Sequence, residues 1–117
     1  MARILVIDDE HALRLLYQHE LAQDGHEVDV AATADEGIGK VRENEYDVVI
    51  LDIRMPGKDG LEALGEMLAG RRSIKVIINS AYSTYKDNFM SWAAEDYIVK
   101  SSDLAELKHK IAEVLAR

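Results

Sequence analysis

Ile4-Leu5-Val6-Ile7-Asp8-Asp9 is the stretch that decides the fold: four apolar residues, three of them β-branched, run straight into two carboxylates. A short, unbroken apolar run is how a strand buried on both faces of a parallel sheet is written. Val48-Val49-Ile50-Leu51 and Val76-Ile77-Ile78 share that form. Val28-Asp29-Val30 alternates instead, which predicts an edge strand with one wet face, and Tyr97-Ile98-Val99 makes a fifth, short run.

Helical patterns lie between these runs. Thr33 with Glu36 has the spacing of a capping box, and Asp59 with Glu62 repeats it with an acidic cap. Leu61, Leu64 and Leu68 form one apolar stripe, and Leu104, Leu107, Ile111 and Leu115 form another. Tyr82, Tyr85, Phe89 and Trp92 give the fourth of five helical patterns, most simply one face against the sheet. Gly25 and Gly70 fall where helices should end, and Gly37 and Gly39 should make the helix that holds them the least stable. Strand and helix alternate five times with no repeat or linker. The expectation is one α/β domain over 1–117, an open five-stranded parallel sheet with helices on both faces.

Composition narrows the function. The chain has 117 residues, the size of one domain, with 48% hydrophobic residues, a globular level. Its net charge of −8 argues against unaided binding to nucleic acid or an anionic membrane, where phosphate neutralisation supplies most of the affinity. Without cysteine there is neither a disulfide framework nor a thiolate zinc site. The start is too short and too acidic for a signal peptide and no run approaches a membrane span, so a cytoplasmic setting is expected.

Every polar strand ending points to one edge. Asp8-Asp9 follows the first strand, Asp52 closes the third, Asn79-Ser80 the fourth and Lys100 the fifth. In open α/β sheets the ligand crevice lies beyond those carboxyl ends. A lone Asp after a strand is usually a helix cap, and Asp9 or Glu10 could serve merely as one. Three carboxylates and a lysine converging ask for more, because crowded carboxylates repel unless a counter-charge joins them. Mg²⁺ suits such a set, wanting one or two carboxylates, water and phosphate oxygens, and Lys100 adds a point charge suited to a phosphoryl group. His11, His19, His26 and His109 lack a ligand spacing and read as surface or cap residues.

Ile4–Asp9 (ILVIDD), Val48–Gly60 (VVILDIRMPGKDG), Ile78–Ala81 (IINSA) and Tyr97–Lys100 (YIVK) together resemble the receiver domain of bacterial two-component response regulators, over essentially the whole chain. The resemblance implies a flavodoxin-like strand order 2-1-3-4-5. It implies Asp52 as phosphoacceptor, Asp9 as a direct Mg²⁺ ligand, Asp8 as a ligand through water, and the backbone carbonyl of Arg54 as a further ligand. Lys100 and Ser80 would hold the phosphoryl group, and Tyr97 would be the aromatic that changes rotamer in response. A sensor histidine kinase or histidine phosphotransfer protein would be the donor, and the surface of the fourth and fifth helical patterns would face a downstream effector. Such a domain catalyses only its own phosphorylation and dephosphorylation. Arg54 and Tyr82 occupy the positions flanking the water that attacks the acyl phosphate; neither can orient it, so slow self-dephosphorylation is expected.

Two departures stand out. The family usually has proline after the lysine, often in a cis peptide, whereas Ser101 follows Lys100; a cis non-proline bond costs about 2.5–4 kcal/mol, so either the site supports that strain or the bond is trans. With the chain ending at Arg117, no output domain is expected.

Rival readings fit less well. Flavodoxin-like cofactor binding needs a phosphate-cradling loop where Asp8-Asp9-Glu10 would repel phosphate, and no GxGxxG appears. A Mg²⁺-dependent phosphatase of the haloacid dehalogenase type wants a second acid where Arg54 stands. A pure interaction module would not need the Asp8, Asp9, Asp52, Ser80 and Lys100 set. In the first helix, Ala12, Leu13, Leu15, Leu16 and Tyr17 spread beyond one core-facing stripe, which predicts an apolar docking patch for a phosphodonor's helical bundle beside the acidic site.

Overall fold

The computed structural model describes residues 2–53, 59–70, 73–81, 94–100 and 103–117. The strands are β1 (Arg3–Ile7), β2 (Glu27–Ala31), β3 (Val48–Leu51), β4 (Val76–Ser80) and β5 (Asp96–Val99). They form one parallel sheet in the order β2-β1-β3-β4-β5, as the resemblance implied. The helices are α1 (His11–Gln23), α2 (Ala34–Glu43), α3 (Gly60–Gly70) and α4 (Ala105–Leu115). Thus α4 is the fifth helical pattern of the sequence; the fourth, over 82–92, lies outside the described residues, as do Arg54 and Ser101.

Side-chain alternation splits the core between the two faces of the sheet. Leu5, Ile7, Val49, Leu51, Val76 and Ile78 pack with Ile38 and Val41 of α2 and Leu61, Leu64 and Met67 of α3. Ile4, Val6, Val48, Ile50, Ile77 and Ile98 pack with Tyr17 and Leu21 of α1 and Leu107, Ile111 and Val114 of α4. Helices on both faces explain why β1, β3 and β4 read as unbroken apolar runs. At the edge, β2 keeps Asp29 half-exposed, as its alternation predicted.

Local signals match their chemistry. Thr33 Oγ1 accepts from Glu36 N at 3.1 Å, and Glu36 Oε2 reaches back to Ala32 N at 3.3 Å. Asp59 Oδ1 caps α3 by accepting from Leu61 N at 2.8 Å. Gly25 takes φ +90° just beyond α1, a conformation that favours glycine. Gly60 is needed for a different reason: a Cβ there would collide with the main chain of Ile53, the residue after Asp52. Its absence lets α3 start directly against the loop that leaves β3, and Gly60 N donates to Ile53 O at 3.2 Å.

Candidate phosphoacceptor and metal site

The hydrogen-bond ladder runs one residue past two strands. Asp8 N donates to Ala31 O at 3.1 Å and Asp52 N to Ile7 O at 3.0 Å. Register pairs Ile7 with Leu51 and Leu51 with Ile78, so Asp8, Asp52 and Asn79 stand level across β1, β3 and β4. By alternation all three belong to the α1/α4 face. Asp8, Asp52, Asn79 and Ser80 are buried polar residues at this edge, while Asp9 is exposed.

Lys100 ties the strand ends together. Its backbone N donates to Ser80 O at 2.7 Å, and its Nζ contacts Asp8 Oδ2 at 2.7 Å and Asp52 Oδ2 at 3.0 Å. Burial pulls the ammonium's pKa down, but the hydrogen bonds and charges of Asp8 and Asp52 outweigh it and leave Lys100 above the usual lysine value. The second oxygen of Asp8 accepts from Glu10 N at 3.0 Å, and its carbonyl accepts from Arg14 Nη1 at 2.8 Å. Glu10, at the N-cap of α1, makes no side-chain cap, so Asp8 performs local anchoring as well as facing the crevice.

Ligand oxygens of Asp8, Asp9 and Asp52 all lie within 4.8 Å of one another. The donors are all oxygen, the chemistry a hard divalent cation requires, and the spread is near that of oxygens around one Mg²⁺, about 4.2 Å apart when trans. The residues present therefore fit Mg²⁺. Among the described residues, one ammonium is paired with these three carboxylates, a balance that a bound cation would improve.

The structure thus gathers Asp8, Asp9, Asp52, Ser80 and Lys100 at one edge. Tyr97 pairs with Ile78 along β5, and its half-buried ring packs on the α2/α3-face core rather than in the acidic crevice. Arg54 and Tyr82 lie outside the described residues, so their expected roles rest on the sequence. Sequence reasoning missed one buried contact: Asn79 Nδ2 donates to Tyr17 OH at 3.1 Å. An asparagine following an apolar strand run was its only visible signal.

A five-stranded parallel sheet in this order, with an acid pair after β1, an acid after β3 and a lysine after β5, defines a doubly wound α/β protein with a carboxylate–lysine crevice. The chain belongs to the response regulator receiver domain family, whose model matches residues 4–112. It is 34% identical to the response regulator ArlR of Staphylococcus haemolyticus over 118 aligned positions, all of this chain but 54% of that protein, so it spans about half its relative's length. Two solved structures are similar at 45% identity. One is the response regulator TrrA of Thermotoga maritima with Mg²⁺-BeF, covering 97% of this chain and 99% of that one with a TM-score of 0.94. The other is the complex of the histidine kinase ThkA with TrrA, covering 98% and 99% with a TM-score of 0.92. No helix among the described residues is long and apolar enough to cross a membrane.

Proposed function

We propose that this domain is a phosphorylation-activated switch in which Asp52 accepts a phosphoryl group from a phosphohistidine. The observation that carries the reading is the Asp52 carboxylate, buried and held 3.0 Å from Lys100 Nζ, with Asp8 and Asp9 within ligand distance. An Asp52 oxygen attacks phosphorus, the phosphorus–nitrogen bond to the donor imidazole breaks, and the nitrogen keeps the electron pair, leaving an acyl phosphate on Asp52. Lys100 meets the developing charge on the phosphoryl oxygens, so catalysis is mostly positioning and electrostatics. Asp9, Asp52 and the Arg54 carbonyl, with Asp8 through water, would hold Mg²⁺, which when bound would supply further charge neutralisation to the same oxygens. Ser80 binds the phosphoryl group, Tyr97 responds, and a downstream effector is met on the side of α4, where the sequence's fourth and fifth helical patterns are expected to face it. The domain turns over no substrate but its own acyl phosphate.

A sensor histidine kinase or histidine phosphotransfer protein is the proposed donor, since the similar TrrA was solved with the histidine kinase ThkA, and the cytoplasm is the proposed setting. Leu15 and Leu16 on α1 are 54% and 41% exposed, large apolar side chains a turn or two beyond the acidic crevice, and supply the docking face.

The test is intact mass after incubation with phosphoramidate and Mg²⁺. The parent gains one phosphoryl group, and chelation or Asp52→Asn abolishes the gain. Uptake by Asp52→Asn at the parent's rate would assign the acceptor elsewhere, and no uptake by the parent would favour an interaction module.

A further inference from the structure

Tyr17 and Asn79 are 62 residues apart, yet they share a buried hydrogen bond of 3.1 Å where the apolar α1/α4-face core meets the acidic crevice. Tyr17 is 2% exposed and Asn79 3%. Burying two polar side chains costs free energy that an apolar pair of similar shape would not, so stability is not the obvious return. Their placement suggests another. Tyr17 is the inward residue of α1 next to the exposed Leu15 and Leu16. Asn79 stands level with Asp8 and Asp52 and immediately precedes Ser80, whose carbonyl holds the backbone of Lys100.

We propose that the Tyr17–Asn79 hydrogen bond is a coupling element that makes the pose of α1, and with it the Leu15–Leu16 face, depend on whether Asp52 carries a phosphoryl group. The inference rests on the phosphoacceptor reading above. Once Asp52 is an acyl phosphate, its carboxylate no longer offers Lys100 a full negative charge, and the ammonium turns to the phosphoryl oxygens. Lys100 is bonded to Ser80 through the main chain, so the end of β4 moves with it, and Asn79 is the adjoining residue. Asn79 passes that displacement to Tyr17, two turns into α1. The start of the same helix is already tied to the crevice through Glu10 N on Asp8. A helix fastened at both points registers a change that a helix packed only by leucines would slide over. A phosphodonor docked on α1 would then meet a different face before and after transfer, the differential contact a release step requires.

The test compares the parent with Tyr17→Phe and with Tyr17→Phe/Asn79→Leu, adding beryllofluoride and Mg²⁺ as the phosphoryl mimic and following amide resonances. In the parent, residues 13–21 shift together with Asp9 and Asp52. Tyr17→Phe removes one oxygen; the double variant removes both polar partners, so no buried group is left unpaired and the fold is kept. In both variants the Asp9 and Asp52 shifts persist, while those of 13–21 shrink by about fivefold or more. A merely structural role would leave the mimic-induced shifts of α1 at parental size in the double variant, and that result overturns the proposal. So does a parent whose α1 resonances ignore the mimic while Asp9 and Asp52 respond. No response anywhere in the parent would overturn the phosphoacceptor reading itself, and the coupling with it.

Discussion

Lys100 Nζ lies 2.7 Å from Asp8 Oδ2, closer than to the proposed acceptor Asp52 at 3.0 Å, so one ammonium serves two buried acids. Removing it takes from Asp8 and Asp52 the ammonium they share. Lys100→Met should lose about 3 kcal/mol of stability in metal-free buffer, the cost of removing one partner from a buried ionic cluster. Mg²⁺ should restore more stability to this variant than it adds to the parent, because the cation takes over the ammonium's task. Urea unfolding with and without MgCl₂ measures both; an equal Mg²⁺ increment in the two proteins would show that Lys100 and the cation do not share these carboxylates.

Alkaline pH should weaken the fold. Burial lowers the Lys100 pKa, but its bonds to Asp8 and Asp52 raise it further, so the folded value lies above the unfolded 10.5. Its contribution is present in full below that unfolded value and is lost as pH climbs through the folded one. Tyr46 acts in the same direction: burial, then its 2.7 Å hydrogen bond to Asp29, keep the phenol protonated far above its usual range. The native state therefore holds protons that the unfolded chain releases from about pH 10 upward. Stability by chemical denaturation should fall from about pH 10 upward, and less steeply in Tyr46→Phe. A flat profile would contradict the assigned direction.

Two glycines should respond oppositely to alanine. At Gly39 an added Cβ meets nothing within 4 Å, so Gly39→Ala should stabilise α2 by about 0.5–1 kcal/mol. At Gly60 it would strike the Ile53 main chain, so Gly60→Ala should cost about 1–3 kcal/mol, with weakened Mg²⁺ binding as the loop after Asp52 shifts. Thermal melts and Mg²⁺ titrations of the two variants check this; equal effects would remove the packing argument for Gly60.

The lifetime of the acyl phosphate should depend on Arg54 and Tyr82, positions identified from the sequence. An arginine and a tyrosine cannot orient an attacking water as a carboxylate or carboxamide can. Arg54→Asn/Tyr82→Glu should speed decay by about tenfold, or ~1.4 kcal/mol of barrier. Phosphoryl loss followed by intact mass decides it, and slower or unchanged decay would assign control of that water elsewhere.

The strands were legible because doubly covered strands are written as unbroken apolar runs, and the crevice because its charged residues follow those runs directly. Thr33, Asp59 and Gly25 announced helix ends through local chemistry. What depends on partners far along the chain was not visible. Tyr17 reads as one more apolar residue of α1 until Asn79 is brought beneath it from β4. Leu13, Leu15 and Leu16 look alike in sequence, and only the packed helix shows Leu15 and Leu16 outward and Leu13 half-buried. The sharing of Lys100 between Asp8 and Asp52 was likewise hidden, since spacing shows convergence but not which acid the lysine touches.

The parallel register has a consequence for the chain while it folds. Asp8, Asp52, Ser80 and Lys100 come from four different strands, and β5 reaches the sheet only through β4. Until β5 docks, the crevice lacks the Lys100 ammonium that Asp8 and Asp52 share, the charge proposed to meet an incoming phosphoryl group. On the proposed mechanism, a molecule frayed at β5 would be not a dim version of the switch but a deaf one. Competence to receive a signal would then wait on the docking of an edge strand that is held to the sheet by one neighbour.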